Sequence, residues 1–345
     1  MTATSLQQIF GQESAVTWLR QAYLADRLPH GLIFAGPVGV GKATAARALA
    51  KLFLCEKPKQ DDACGKCESC RVFDAGNHPD YHVITKELIR YHDKTGKSKG
   101  IDLSINVLRP EVIEPAGRKA VMGRGKVFAI EQAELMNPQA QNALLKTLEE
   151  PAGRTLIVLL TDQPGSLLAT IRSRCQTVRF GALDKDRVCK ELARRGVDPA
   201  LAEDAAELSR GSLGIALKWM EDGVVAPARE LLGQIDNLFA GTAPDDLPGW
   251  FKNAAEAYAQ KQLERDDLAS KDQATREGLT LYLLLAGEHI RRRMIDEPDP
   301  ANLESACAAI DALTQAETYL DSNVNTSLVF QQLTVKLEGE VGSKK

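Results

Sequence analysis

Two groups of residues in this sequence have the types and the spacing to do chemistry. Gly36, Gly39 and Gly41 lie in the run GPVGVGK that ends at Lys42. Glycines at that spacing let the backbone turn tightly enough for successive N–H groups to face one anion, and Lys42 supplies a point charge for the β- and γ-phosphates of a nucleotide. Cys55, Cys64, Cys67 and Cys70 follow in a C-x8-C-x2-C-x2-C pattern, four of the seven cysteines within 16 residues. The two x2 turns bring thiolates to one centre, and Cys55 completes a tetrahedral set for a structural Zn2+. An iron–sulfur cluster also takes four cysteines; nothing nearby in the sequence points to electron transfer, which favours zinc. His78 is read as a local hydrogen-bonding residue, because four sulfurs already close the metal shell.

The elements that must position these groups are legible around them. Gly31–Ala35 is short and apolar, a buried strand, and the Ala- and Leu-rich run to Leu54 is a helix whose N-terminal dipole adds to the loop's pull on an anion. Ala43 stands where the phosphate-loop pattern has Ser or Thr to ligate Mg2+. Thr44 is turned away from that place by about 100°, so a nucleotide pocket with damaged metal coordination is expected. Lys126–Ile130 is a second apolar strand, and it resembles a Walker B strand. Glu131 keeps a carboxylate at the metal position, whereas Gln132 replaces the residue that would accept a proton. Losing a general base typically costs about 10²–10⁴ in rate, although glutamine can still orient a water. Leu156–Leu160 is a third apolar strand, ending at Thr161, where a γ-phosphate sensor would stand.

Further strands are expected at Tyr81–Thr85 and Gln176–Phe180. From Thr4 to Leu28, Ala15, Trp18, Leu19, Ala22 and Tyr23 share one helical face, and Ile9–Gln12 lies either beside a nucleotide base or packed under the sheet. Lys86–Lys99, with Lys86, Arg90, Lys94, Lys97 and Lys99, reads as a solvated loop ahead of a DNA contact. Ile105–Arg118 reads as helical but interrupted by Pro110 and Pro115, and Asn137-Pro138 starts a helix that stops before Pro151. Leu279, Leu283, Ala286 and Ile290 form one apolar stripe, and Leu303, Ala306, Ile310 and Leu313 another; Arg291–Arg293 closes the helix of the first. A length of 345 residues suggests two or three domains, with 44% hydrophobic and 26% charged residues as in ordinary soluble proteins. The formal charge of −4 gives no global basic field, so any nucleic-acid contact is local or made through a larger assembly. No apolar run approaches a membrane span, and a cytoplasmic protein without membrane contact is expected.

GPVGVGK, the four-cysteine insertion, NALLKTLEEP at Asn142–Pro151 and Ser173-Arg174-Cys175 together resemble the clamp-loader family of AAA+ proteins. The resemblance implies an α/β AAA+ P-loop domain over 1–181 with a zinc module at 55–70. It also implies a small helical lid over 182–225, with Pro199 and Gly211 as helix punctuation, and an all-α collar over 226–340 that joins the subunits. By the same resemblance Arg174 is an arginine finger that reaches the nucleotide of a neighbouring subunit, a task suited to a planar, always-charged guanidinium. In Gly211-Ser212-Leu213-Gly214, the last residue stands where active loader ATPases carry a sensor-2 arginine. With Ala43, Gln132 and Gly214 together, three catalytic groups are missing. The expected function is a non-catalytic stator of a DNA polymerase III clamp loader that holds ATP or ADP, if any, without efficient hydrolysis. Implied partners are the tau/gamma ATPase and delta subunits, the sliding clamp, and primed DNA reached through the complex. An active ATPase of the same family is the alternative, and a zinc-containing DNA-binding module with a vestigial nucleotide fold is the alternative of another class.

Overall fold

A computed structural model describes residues 5–92, 102–242, 246–265, 270–296, 300–322 and 324–341. Apolar runs with β-branched residues pair into one five-stranded sheet of β1 (Gly31–Ala35), β2 (Tyr81–Ile84), β3 (Lys126–Ile130), β4 (Thr155–Thr161) and β5 (Gln176–Arg179). Their order is β2-β3-β4-β1-β5, and every pairing is parallel. Parallel strands are covered on both faces, and β1, β3 and β4 are buried along their whole length. Alternate side chains therefore feed two cores. Leu32, Phe34, Val127, Ala129 and Val158 pack on one face with the helices Glu13–Leu24 and Lys42–Leu54. Ile33, Phe128, Ile130, Ile157 and Leu159 pack on the other with the helix Pro138–Glu149.

The chain divides into two compact units, one of residues 1–188 with 210–214, the other of 189–209 with 215–345. The first carries the sheet. In it the expected helix from Thr4 is shorter: a 3₁₀ turn at Leu6–Gln8 precedes a helix over Glu13–Leu24. Pro110 and Pro115 do not break Ile105–Ala116. The segment stays helical by widening to a π-turn over Arg109–Ile113, which accommodates a residue without an N–H. Lys86–Lys99 begins with helical turns at Lys86–Leu88 and Ile89–His92, and Ile89 is buried; Lys94, Lys97 and Lys99 lie outside the described residues.

The second unit is helical among the described residues. Leu279, Leu283, Ala286 and Ile290 are buried on the helix Lys271–Asp296, as their spacing predicts. On Pro300–Asp321 the stripe is drawn differently. Leu303 is 44% exposed, and the buried line is Ala306, Ala309, Leu313, Ala316 and Leu320. Alanines let that helix sit close to its neighbours, and an alanine line carries too little hydropathy to announce itself. Arg291, Arg292 and Arg293 are paired with carboxylates: Glu288, Glu207 and Asp236, respectively.

Candidate functional site

Behind β1 the glycine run closes into a loop whose shape the rest of its unit fixes. Gly36 donates its N–H to Thr161 O at 3.1 Å, tying the loop to the end of β4. A Cβ on Gly36 would lie 2.0 Å from Phe180 O, so only glycine fits there. Gly41, in the left-handed region, caps the helix Lys42–Leu54. The carbonyls from Gly36 to Val40 all accept hydrogen bonds from this chain. Lys42 Nζ donates to Gly36 O and, at 2.7 Å, to Pro37 O. Ser212 Oγ donates to Val38 O at 2.8 Å, the Gly214 N–H to Gly39 O at 2.9 Å, and Gln12 Nε2 to Val40 O at 3.1 Å. Gln12 also pairs with both backbone groups of Gly181, and Ile9 lies in the core, so both ends of the Ile9–Gln12 segment are packed within the sheet-bearing unit.

Burial lowers the pKa of Lys42, and the carboxylates of Asp162 and Glu134 oppose that. Neither acid stood out in the sequence, because their place near Lys42 is made by the turns after β3 and β4. The Glu131 carboxyl is raised, by burial first and by Glu87 second. Gln132 adopts a left-handed backbone at φ +50°, uncommon for a residue with a side chain. Thr161 is buried at the end of β4, and its hydroxyl accepts the Gln163 N–H at 3.0 Å. A Cβ on Gly214 would lie 2.7 Å from Gly39 O and 2.9 Å from Gly39 Cα. Any side chain at 214 therefore collides with the phosphate loop as it stands.

The four cysteines converge elsewhere in the same unit, their sulfurs all within 4.8 Å of one another. Cys55 and Cys67 sulfurs are 3.9 Å apart, and those of Cys64 and Cys70 are 4.0 Å apart. A tetrahedron with metal–sulfur bonds of 2.3 Å has edges of about 3.8 Å, so the set fits one mononuclear ion. Cys55 caps the end of the helix Lys42–Leu54 and Cys67 the start of the helix Glu68–Asp74. Backbone N–H groups point at the sulfurs: Cys64 at Cys55, Lys66 and Cys67 at Cys64, and Cys70 at Cys67. The Lys66 N–H leads in bringing Cys64 down to about 6, whereas burial pushes Cys55 and Cys70 up. Buried thiols of that kind ionise when a cation is present. His78 is no ligand. Its Nδ1 accepts the Asp80 N–H at 3.1 Å, so Nε2 carries the proton and donates to Ser69 Oγ at 3.0 Å, which donates to Leu54 O at 2.8 Å.

Arg174 lies just beyond the helical turn Ala169–Arg172 that leads into β5. Its Nη2 meets Glu149 Oε1 at 2.5 Å, and its Nη1 donates to Thr170 O at 3.0 Å and to Ser173 Oγ at 3.3 Å. Glu149 ends the helix that Asn137 caps, where the Asn137 side chain accepts the Ala140 N–H at 2.9 Å. Its pairing with Arg174 was not readable from the sequence, since the two lie on different elements.

A family model described as "DNA polymerase III, delta subunit" matches residues 11–184. The DNA polymerase III subunit delta' of Escherichia coli (strain K12) is 36% identical over 227 residues, which cover 63% of this chain and 64% of that protein. The subunit delta' of Pseudomonas aeruginosa is 40% identical over 146 residues, 42% of this chain and 41% of that one. The subunit tau/gamma of Haemophilus influenzae is 30% identical over 245 residues, 69% of this chain and 33% of that one. The chain thus spans less than two thirds of the length of each of these relatives.

Proposed function

The chain belongs to the DNA polymerase III delta-subunit family, and from that premise we propose that it serves as a delta'-type, non-catalytic stator of the clamp loader. In this reading its work is to assemble with tau/gamma-type ATPase subunits and a delta subunit, and to present Arg174 to nucleotide held by a neighbour. The sliding clamp and primed DNA are met through the complex, in the cytoplasm. In this reading residues 1–181 are the phosphate-loop domain, 182–225 the lid and 226–340 the collar, with 182–188 and 210–214 of the lid falling in the compact unit of the sheet and its other residues in the second unit. Among the described residues no helix is long and apolar enough to cross a membrane.

The observation that carries the proposal is the contact of Gly214 with Gly39. An arginine at 214 would have to displace the loop's own backbone, so the loop and a sensor-2 side chain are incompatible in this geometry. Ala43 offers no side-chain oxygen to Mg2+, and the Gln132 side chain cannot take a proton as a carboxylate would. The cysteine set supports a structural Zn2+ whose four sulfurs close the shell and leave no open position for chemistry, and the formal charge of −4 weakens the reading as a DNA-binding module.

A second reading, an active ATPase, draws on the formed glycine loop with Lys42 in place and on the likeness to a tau/gamma subunit. Steady-state hydrolysis by the purified chain separates the two. The stator reading expects no turnover above background, with ATP or ADP held weakly through Lys42. Turnover near 1 s⁻¹, roughly the low end for ordinary enzymes, that is abolished by Lys42→Ala would establish the second reading.

A further inference from the structure

We propose that Glu149 is the positioning residue for Arg174. The inference rests on the reading of Arg174 as a finger acting in trans, and it concerns how this chain readies that side chain. A long surface arginine ordinarily samples many rotamers, and ordering it opposes any contact it makes in a transition state. Here the guanidinium is held at both of its Nη groups before any partner arrives. Glu149 takes Nη2 at 2.5 Å, while Thr170 O and Ser173 Oγ take Nη1 at 3.0 and 3.3 Å. Two of these anchors, Thr170 and Ser173, come from the turn that carries Arg174 itself. Glu149 alone comes from another element, the C-terminal end of the helix Pro138–Glu149.

That distinction decides what Glu149 does. Anchors on its own turn hold the root of the arginine, whereas an anchor on a second element fixes the direction of the fork. The helix that supplies it is itself set by the Asn137 cap and by Leu144 and Leu148 in the core, so the carboxylate sits on a rigid support. The arginine keeps part of its side chain in solvent, 36% exposed, with Glu149 at 47%. Five N–H donors on one guanidinium exceed the three contacts named, so the fork can meet a phosphoryl oxygen without giving up its anchor. The role of Glu149 is exerted through Arg174.

The test uses the full-length chain reconstituted with tau/gamma-type and delta subunits, clamp and primed DNA, with assembly read by gel filtration. Single-turnover ATP hydrolysis is followed against ATP concentration for wild type, Glu149→Gln, Glu149→Ala, Arg174→Ala and the double variant Glu149→Ala/Arg174→Ala. Glu149→Ala is expected to slow the one site this subunit faces by about three- to tenfold, with the other sites and the ATP concentration for half-maximal rate unchanged, because the loss is one of aim in the transition state. Glu149→Gln, which keeps an acceptor of the same size, should fall between it and wild type. In the Arg174→Ala background, Glu149→Ala should do nothing further. If Glu149→Ala impairs assembly, the Gln variant and its own double variant with Arg174→Ala supply the same comparison. Unchanged or faster hydrolysis with Glu149→Ala beside a slow Arg174→Ala would overturn the positioning role and leave the finger standing. Additive losses in the double variant would also overturn it. Full activity of Arg174→Ala would instead remove the finger, and the positioning role with it.

Discussion

Gly214 and His78 show how single residues set what this chain can do. At 214 a methyl group would sit 2.7 Å from a backbone oxygen that has no flexible end to move aside. Gly214→Ala is therefore expected to destabilise the sheet-bearing unit by about 1–3 kcal/mol, the usual cost of overpacking a fitted contact, read as a lower denaturant midpoint with unchanged slope. No change would mean that the loop yields freely. His78 must stay neutral at Nδ1 to accept the Asp80 N–H, and burial holds its pKa below the ordinary 6.5. The unfolded chain then binds a proton more readily than the folded one, so the contribution is present above about pH 6.5 and is lost as pH falls through the lower folded value. The stability advantage of wild type over His78→Gln should shrink between pH 7.5 and 5.5; an advantage that grows on acidification contradicts this protonation state.

The elements were legible to different degrees, and the reason is the range of the signal. The glycine run, the cysteine spacing and the Asn137-Pro138 cap are local, so they were readable in sequence order. Ser212 lies 174 positions from Val38, and Glu149 and Arg174 meet only because their two elements pack side by side. Such contacts have no periodicity to betray them. The prolines of Ile105–Ala116 do not interrupt the helical path because a π-turn absorbs a missing N–H, and Leu303 stays outside the packed line because alanines do the packing. Two expectations belong to this scale. Asn137→Ala should cost about 1 kcal/mol of stability through the lost cap, measured by equilibrium unfolding. The cysteine module should contain about one Zn2+ per chain, and a chelator that strips it should lower the melting temperature. A brown protein with iron and sulfide would contradict the metal assignment.

At the scale of the whole molecule, the proposed stator has a formed phosphate loop without the groups that would drive hydrolysis. The loop is formed and held by five carbonyl contacts, yet Ala43, Gln132 and Gly214 supply neither metal ligand, base nor sensor. In the stator reading, the group left to act on a neighbour's nucleotide is Arg174, on the turn before β5. A finger acting in trans is commonly worth ~10³–10⁵ in the rate of the site it faces. The most direct measurement is single-turnover ATP hydrolysis by the reconstituted loader with Arg174→Ala in this chain alone. If Arg174 acts in trans, one site, the one this subunit faces, drops out of the fast phase while the others keep their rate, and Arg174→Lys rescues it poorly because a point charge lacks the planar fork. An assembled complex in which all sites fire at the wild-type rate would contradict it.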